Sequence, residues 1–285
     1  QTTPKAIIQI SHGMCEYIER YEPFIDFLTG HGFIVCGNDH LGHGKSVSSK
    51  DKLGYFAPEN GWSCLVDDLS ILTKIMKEQY SNLPIFLFGH SMGSFYARAF
   101  AAKYPYLVDG VLISGTGGPN TMEAAGKALI SLLMKIEGEK ATSKLIAKII
   151  FGSYLDKIEN PKTASDWLTR DEEQVAKYRA DKYCRFYFTL SGYKDLINIL
   201  SLANSKECYA NTKKDIPYFI FSGDMDPVGE WGKGVQKVYE SYKECGVKDV
   251  TLKLYEGGRH EMLNEINKEE VHSDIISWLE SKYNQ

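Results

Sequence analysis

Ser91 lies in Gly89-His90-Ser91-Met92-Gly93, a Gly-X-Ser-X-Gly string that follows the apolar run Ile85-Phe86-Leu87-Phe88 and precedes a helix-forming stretch, Phe95 to Ala102. A buried strand, a sharp turn and a helix in that order lift a serine hydroxyl out of the strand's C-terminal end, the geometry of a nucleophile elbow. Gly89 and Gly93 fit it, because a Cβ at either position would collide as the helix folds back on the strand. The blander alternative is a glycine-rich turn in which Ser91 only caps the helix. A serine hydroxyl is a poor nucleophile at neutral pH unless a base takes its proton and a third group orients that base. Of the seven histidines, His260 is best placed: it follows the strand-like 250–255 across Glu256-Gly257-Gly258-Arg259, just ahead of the last helix. His272 falls in a helical pattern and reads as a surface residue, His31 sits in a His-Gly turn, and His90 is expected to point away from Ser91's side. The orienting carboxylate should follow another core strand, where Gly223-Asp224-Met225-Asp226-Pro227 offers two. Asp226 is preferred because Pro227 stiffens its loop, with Asp224 second. Two backbone N–H groups would complete an oxyanion hole: Met92, next to the nucleophile, and Met14, after the small Gly13 in the loop following the first strand. The chemistry is acyl transfer.

The elements that must position these groups alternate. Strands are expected at Ala6–Ile10, Phe33–Gly37, Pro84–His90, Gly110–Ser114, Ile216–Phe221 and Val250–Tyr255, with helices near 21–29, 62–80, 95–102, 231–245 and 268–282 between and after them. Residues 62–80 carry Leu65, Leu69, Leu72, Ile75 and Met76 at helical spacing. Alternation of this kind implies an α/β fold with a mostly parallel central sheet flanked by helices. The rhythm breaks at Gly115-Thr116-Gly117-Gly118-Pro119 and resumes after Asn211. Residues 1–115 and 212–285 are therefore read as the core, and 116–211 as an inserted helical cap, or lid. Its stretches 122–136 and 144–151 are apolar and punctuated by Lys127, Lys135, Lys140, Lys144 and Lys148. Such faces either pack on the core or line an acyl tunnel and touch a membrane surface.

Composition narrows the classes. Over 285 residues the chain is 43% hydrophobic and 25% charged, ordinary for a globular protein, and its net charge of −4 with dispersed Lys and Arg argues against nucleic acid as a partner. No apolar run approaches the length of a spanning helix. Six cysteines with no Cys-X-X-Cys pair read as reduced thiols, and the expected location is cytoplasmic, with peripheral membrane contact through the cap. Gln1-Thr2-Thr3-Pro4 shows no signal segment and no initiator Met, so upstream residues are expected. Gly44-Lys45-Ser46 ends like a phosphate-binding loop, but Asp39 occupies the position of its first glycine and opposes phosphate. Asp224-Met225-Asp226 opens like a calcium loop, yet Val228 and Val235 stand where oxygen ligands are needed.

With these residues in place, the chain resembles the α/β-hydrolase superfamily, and within it the monoacylglycerol lipase and lysophospholipase group. The likeness runs through His12-Gly13-Met14-Cys15-Glu16 with Arg20-Tyr21, Asp39-His40-Leu41-Gly42-His43-Gly44-Lys45-Ser46, the elbow, Gly223-Asp224-Met225-Asp226 and Tyr255-Glu256-Gly257-Gly258-Arg259-His260-Glu261. In the insert only Leu168-Thr169-Arg170-Asp171 shares it. The order Ser91, Asp226, His260 is the order of that superfamily. The resemblance implies serine-dependent hydrolysis of an ester with a single acyl chain, such as a monoacylglycerol, without metal or organic cofactor. Lysophospholipase and short-chain carboxylesterase activities are the alternatives within enzymes, and a non-catalytic receptor on the same fold is the alternative from another class. Glu16 and Arg20 are candidate headgroup contacts or partners in an internal salt bridge. Two departures stand out: Tyr17 replaces the usual His after Glu16, and the group's first strand hairpin is missing.

Overall fold

The computed structural model describes residues 3–283; Gln1, Thr2, Asn284 and Gln285, at the ends of the expected core, lie outside them. Five largely apolar runs and one alternating segment form the strands β1 (Ile7–Ser11), β2 (Ile34–Gly37), β3 (Ile85–His90), β4 (Gly110–Ser114), β5 (Tyr218–Gly223) and, alternating, β6 (Val250–Tyr255). They make one sheet in the order β2-β1-β3-β4-β5-β6, with every neighbouring pair parallel. The helices are α1 (Glu22–Gly30), α2 (Gly61–Gln79), α3 (Met92–Lys103), α4 (Glu123–Glu137), α5 (Lys144–Phe151), α6 (Glu172–Ala180), α7 (Leu190–Ala203), α8 (Lys206–Asn211), α9 (Lys233–Glu244) and α10 (Lys268–Tyr283).

Parallel strands covered on both faces read as unbroken apolar runs, and their alternate side chains divide between two cores. Ile7, Leu87, Val111, Ile113 and Ile220 face one core, which Leu65 and Leu69 of α2, Phe100 of α3 and Val238 of α9 complete. Ile8, Phe86, Phe88, Leu112, Phe219 and Phe221 face the other, closed by Phe24 and Leu28 of α1 and Ile275 and Trp278 of α10. Each such side chain contributes about 1.5–3 kcal/mol on burial, so the sheet is the rigid platform from which the loops at its C-terminal edge project. β5 starts two residues later than the apolar run suggests. Pro217 has no N–H for the ladder, and its carbonyl instead accepts from Val111 N–H at 3.0 Å. The strand continues to Gly223, which sets Asp224 and Asp226 directly at its end.

Between β4 and β5 the chain forms α4 to α8, and among the described residues the one β contact there is an isolated bridge, Thr142 to Thr189. Ile130 and Ile146 are buried and Leu129, Leu133, Ile150 and Phe151 pack partly against the core. The other faces of α4 and α5 are uncovered: Leu132, Ile136, Leu145 and Ile149 are 54–70% exposed.

Candidate active site

The loops after β1, β3, β5 and β6 carry Met14, Ser91, Asp226 and His260, all at one sheet edge. Ser91 has φ 53° and ψ −123°, a backbone conformation that costs a non-glycine residue energy and persists only when its surroundings hold it. They do. Ser91 N–H donates to Ser114 C=O at 2.9 Å, and Ser91 C=O accepts from Ser94 N–H at 2.8 Å and Ser94 Oγ–H at 2.5 Å. The following helix turns back so tightly that a Cβ on Gly93 would stand 2.0 Å from the Ser11 carbonyl oxygen.

His260 Nδ1 is bonded to both carboxylate oxygens of Asp226, at 2.9 and 3.0 Å, with Asp226 wholly buried and His260 nearly so. The same carboxylate accepts from Ser222 Oγ–H at 2.7 Å and Val228 N–H at 2.9 Å. Burial disfavours charge on the ring, but the facing carboxylate outweighs it and lifts the His260 pKa above the ordinary value. Burial likewise opposes ionisation of Asp226, and His260 with the two donors overcomes it, holding the carboxyl below its usual range. Asp224 does other work: it accepts from Gly257 N–H at 2.7 Å and so fixes the turn that delivers His260. The end of β4 brings base and serine together, since Ser91 bonds to Ser114 while a Cβ on Gly115 would stand 3.0 Å from His260 Cε1. Among the described residues no hydrogen bond joins Ser91 Oγ to His260 Nε2, a contact that commonly tightens only when substrate binds.

Among the described residues neither Met14 N–H nor Met92 N–H has an acceptor. Met92 opens α3, so its N–H belongs to the positive end of a helix. The turn before Met14 abuts Ser91, with a Cβ on Gly13 lying 3.1 Å from Ser91 Cβ. Glu16 organises that turn: Oε1 accepts from Gly13 N–H and, at 2.7 Å, from Tyr21 O–H, while Oε2 accepts from Arg20 at 2.7 Å. Arg20 also donates to Glu261 at 3.0 and 3.1 Å and lies 4.9 Å over the Tyr178 ring. Burial alone would raise the Glu261 pKa, but Arg20 brings it down to about 2. The charges of Glu16 and Arg20 are therefore engaged internally, the salt-bridge alternative of the two read from the sequence.

Other contacts were not legible in the sequence. The His260 ring lies between His90, 4.8 Å away, and Trp167 of the insert, 5.0 Å away. His90 thus lies beside His260; burial favours its neutral form, with a pKa lowered to about 4. His272 is packed against Phe24 and Phe27 instead of standing free at the surface. His12, His40 and His43 form a buried, uncharged block under the first loop, with ring separations of 4.2 and 5.2 Å from His12. Asp39 accepts from Ile18 N–H at 2.8 Å and Lys45 N–H at 2.6 Å, which makes the Gly44-Lys45-Ser46 turn a braced loop rather than a phosphate cradle.

A family model, Serine aminopeptidase, S33, matches the chain over residues 2–267. The chain belongs to that family. It is a serine hydrolase of the α/β-hydrolase fold. The chain is similar to the human monoglyceride lipase, 29% identical over 284 residues that cover 98% of this chain and 84% of that one. The monoacylglycerol lipase of Mycolicibacterium smegmatis is 27% identical over 283 residues, 98% of this chain and 90% of the other. The crystal structure of a thermostable carboxyl esterase from Bacillus coagulans, in complex with glycerol, superposes with a TM-score of 0.92 at 30% identity, covering 99% of this chain and 91% of that one.

Proposed function

We propose that this serine hydrolase cleaves carboxylic esters of single-chain lipids, monoacylglycerols foremost, through an acyl-enzyme on Ser91. The buried Asp226–His260 pair beside a strained elbow serine carries this reading. Ser91 Oγ attacks the ester carbonyl as His260 Nε2 takes its proton, and the Met14 and Met92 N–H groups hold the oxyanion. His260 then returns the proton to the departing alcohol. Water, activated by the same ring, releases the fatty acid. Asp226 holds Nδ1 protonated, so that Nε2 is the acceptor.

The substrate class follows from the relatives named as monoglyceride lipases and from residues 116–211 as a cap whose aromatic residue Trp167 closes over His260. The uncovered Leu132, Ile136, Leu145 and Ile149, with Lys135, Lys144 and Lys148 along the same two helices, suit peripheral contact with a lipid surface. Among the described residues no helix is long and apolar enough to cross a membrane. An aminopeptidase reading, suggested by the family's name, needs a free carboxylate for the substrate's ammonium group. Glu16 in the first loop and Glu261, which follows His260 in the chain, are both tied to Arg20, and Asp226 is engaged by His260. A panel of monoacylglycerols of graded chain length, lysophospholipids, p-nitrophenyl esters and aminoacyl amides tests the proposal. Turnover highest on monoacylglycerols supports it; preference for lysophospholipids, acetate esters or amides overturns the assigned substrate.

A further inference from the structure

Arg98 follows Ser91 by seven residues on α3, and its long side chain is completely buried. Among the described residues no carboxylate pairs with it. A buried charge without a counter-ion is costly unless its donors are satisfied by well-placed dipoles, so its partners are informative. One guanidinium nitrogen donates to Thr116 Oγ1 at 3.3 Å and Gly117 C=O at 3.2 Å, where the chain leaves β4 for the insert. The other donates to Ala203 C=O at 2.7 Å, Asn204 Oδ1 at 2.8 Å and Tyr209 O–H at 2.6 Å, where the chain comes back. Ala203 is the last residue of α7, so the guanidinium sits at the negative end of that helix, which stands in for a counter-ion. A single side chain thus ties both roots of the insert to the helix that starts at the nucleophile.

The tie continues to the nucleophile itself. Ser94 Oγ–H donates to Ser91 C=O at 2.5 Å, the carbonyl of the residue held at positive φ, and Ser94 Oγ lies 2.9 Å from Thr116 Oγ1, whose hydroxyl proton is left to donate to it. Thr116 is therefore shared between the arginine that binds the insert's roots and the serine that steadies the elbow. The geometry points to Arg98 as a positioning residue that locks the roots of the insert and the Ser91 turn into one hydrogen-bonded unit, with Thr116 and Ser94 as the link. This deepens the proposed function and rests on Ser91 being the nucleophile. Trp167 covers His260 from the same insert, so a root that shifts relative to α3 would disturb nucleophile and base together.

Thr116→Val separates positioning from bulk packing. It is nearly isosteric, removes the shared hydroxyl, and leaves the contacts of Arg98 with Ala203, Asn204 and Tyr209 in place. Thr116→Ser keeps the hydroxyl and is the rescue. In the full chain, on a soluble p-nitrophenyl ester and well below each variant's melting temperature, Thr116→Val should lower kcat by about 5–30-fold with KM within about 2-fold of wild type, the scale of a slight misplacement of a reacting group. Thr116→Ser should restore kcat to within about 2-fold. Arg98→Lys, which keeps the charge but cannot span both roots, should lower kcat at least as much as Thr116→Val. Wild-type kcat in folded Thr116→Val and Arg98→Lys would reduce Arg98 to a structural pin and overturn the inference. Failure of the wild-type chain to react with a fluorophosphonate would overturn the Ser91 reading itself, whatever the variants do.

Discussion

Replacing Asp226 by Asn tests the carboxylate's role by changing one atom. In the native site one Asp226 oxygen accepts from Val228 N–H and the other from Ser222 Oγ–H, while both face His260 Nδ1 at 2.9–3.0 Å. An asparagine has a single acceptor oxygen. The Val228 amide can only donate, so the side-chain oxygen must turn toward it. The NH₂ group then faces Ser222, whose hydroxyl can accept, and His260 Nδ1, which must accept as well. That forces the tautomer with the proton on Nε2, which cannot take a proton from Ser91. The expected loss in kcat is about 10³–10⁴-fold, or about 4–5.5 kcal/mol of transition-state stabilisation. Steady-state hydrolysis of a p-nitrophenyl ester reads it, with thermal melting to confirm folding. The pH profile adds an independent mark. His260 must be neutral to act, and Asp226 raises its pKa, so wild-type kcat/KM should fall below an acid midpoint above about 6.5. In the Asn variant the residual activity should titrate at lower pH. A loss of less than about tenfold, or a larger loss from Asp224→Asn than from Asp226→Asn, refutes the assignment.

Arg20→Met leaves Glu16 and Glu261 buried without their cation, and urea denaturation should show about 3–5 kcal/mol of lost stability. Asp195 on α7 is buried beside the start of α2 and accepts from the Trp62 N–H, yet burial pushes its pKa up to about 6. The folded state thus favours its neutral form, so stability falls as pH rises from about 4 to about 6. Asp195→Asn should therefore stabilise the protein by about 1–3 kcal/mol at pH 7, with the gain gone by about pH 4, as followed by melting across pH. Paired Leu145→Glu and Ile149→Glu changes should abolish co-sedimentation with anionic vesicles while soluble-ester turnover stays unchanged; undiminished sedimentation would remove the membrane contact.

What the sequence disclosed depended on how local each determinant was. The strands that lead to the site residues are rich in apolar residues and stop at glycine or a polar turn, β6 as an alternating Val-Thr-Leu-Lys-Leu-Tyr, so the sheet and the loops at its edge could be read along the chain. The preference for Asp226 over Asp224 rested on Pro227 alone. The structure gives each carboxylate separate work, Asp224 holding the turn that Asp226's partner stands on. Glu16 and Arg20 had a legible chemistry but not a legible partner, since Glu261 lies 241 residues further on. Trp167 over His260 and Arg98 beneath the roots of the insert left no local mark. A tryptophan in a polar stretch and an arginine in an Ala-rich helix acquire meaning only when the insert packs on the core. The neighbour of His90 was hidden for a related reason: His260, whose ring lies beside it, is 170 residues away in the chain.

The central claim is that Ser91 is the acylated nucleophile. Intact mass and peptide mapping after reaction with a fluorophosphonate measure it directly. One adduct per chain is expected, on Ser91, with none in Ser91→Ala and a rate that collapses in His260→Ala. An adduct on another residue, or none in the folded wild-type chain, would contradict it.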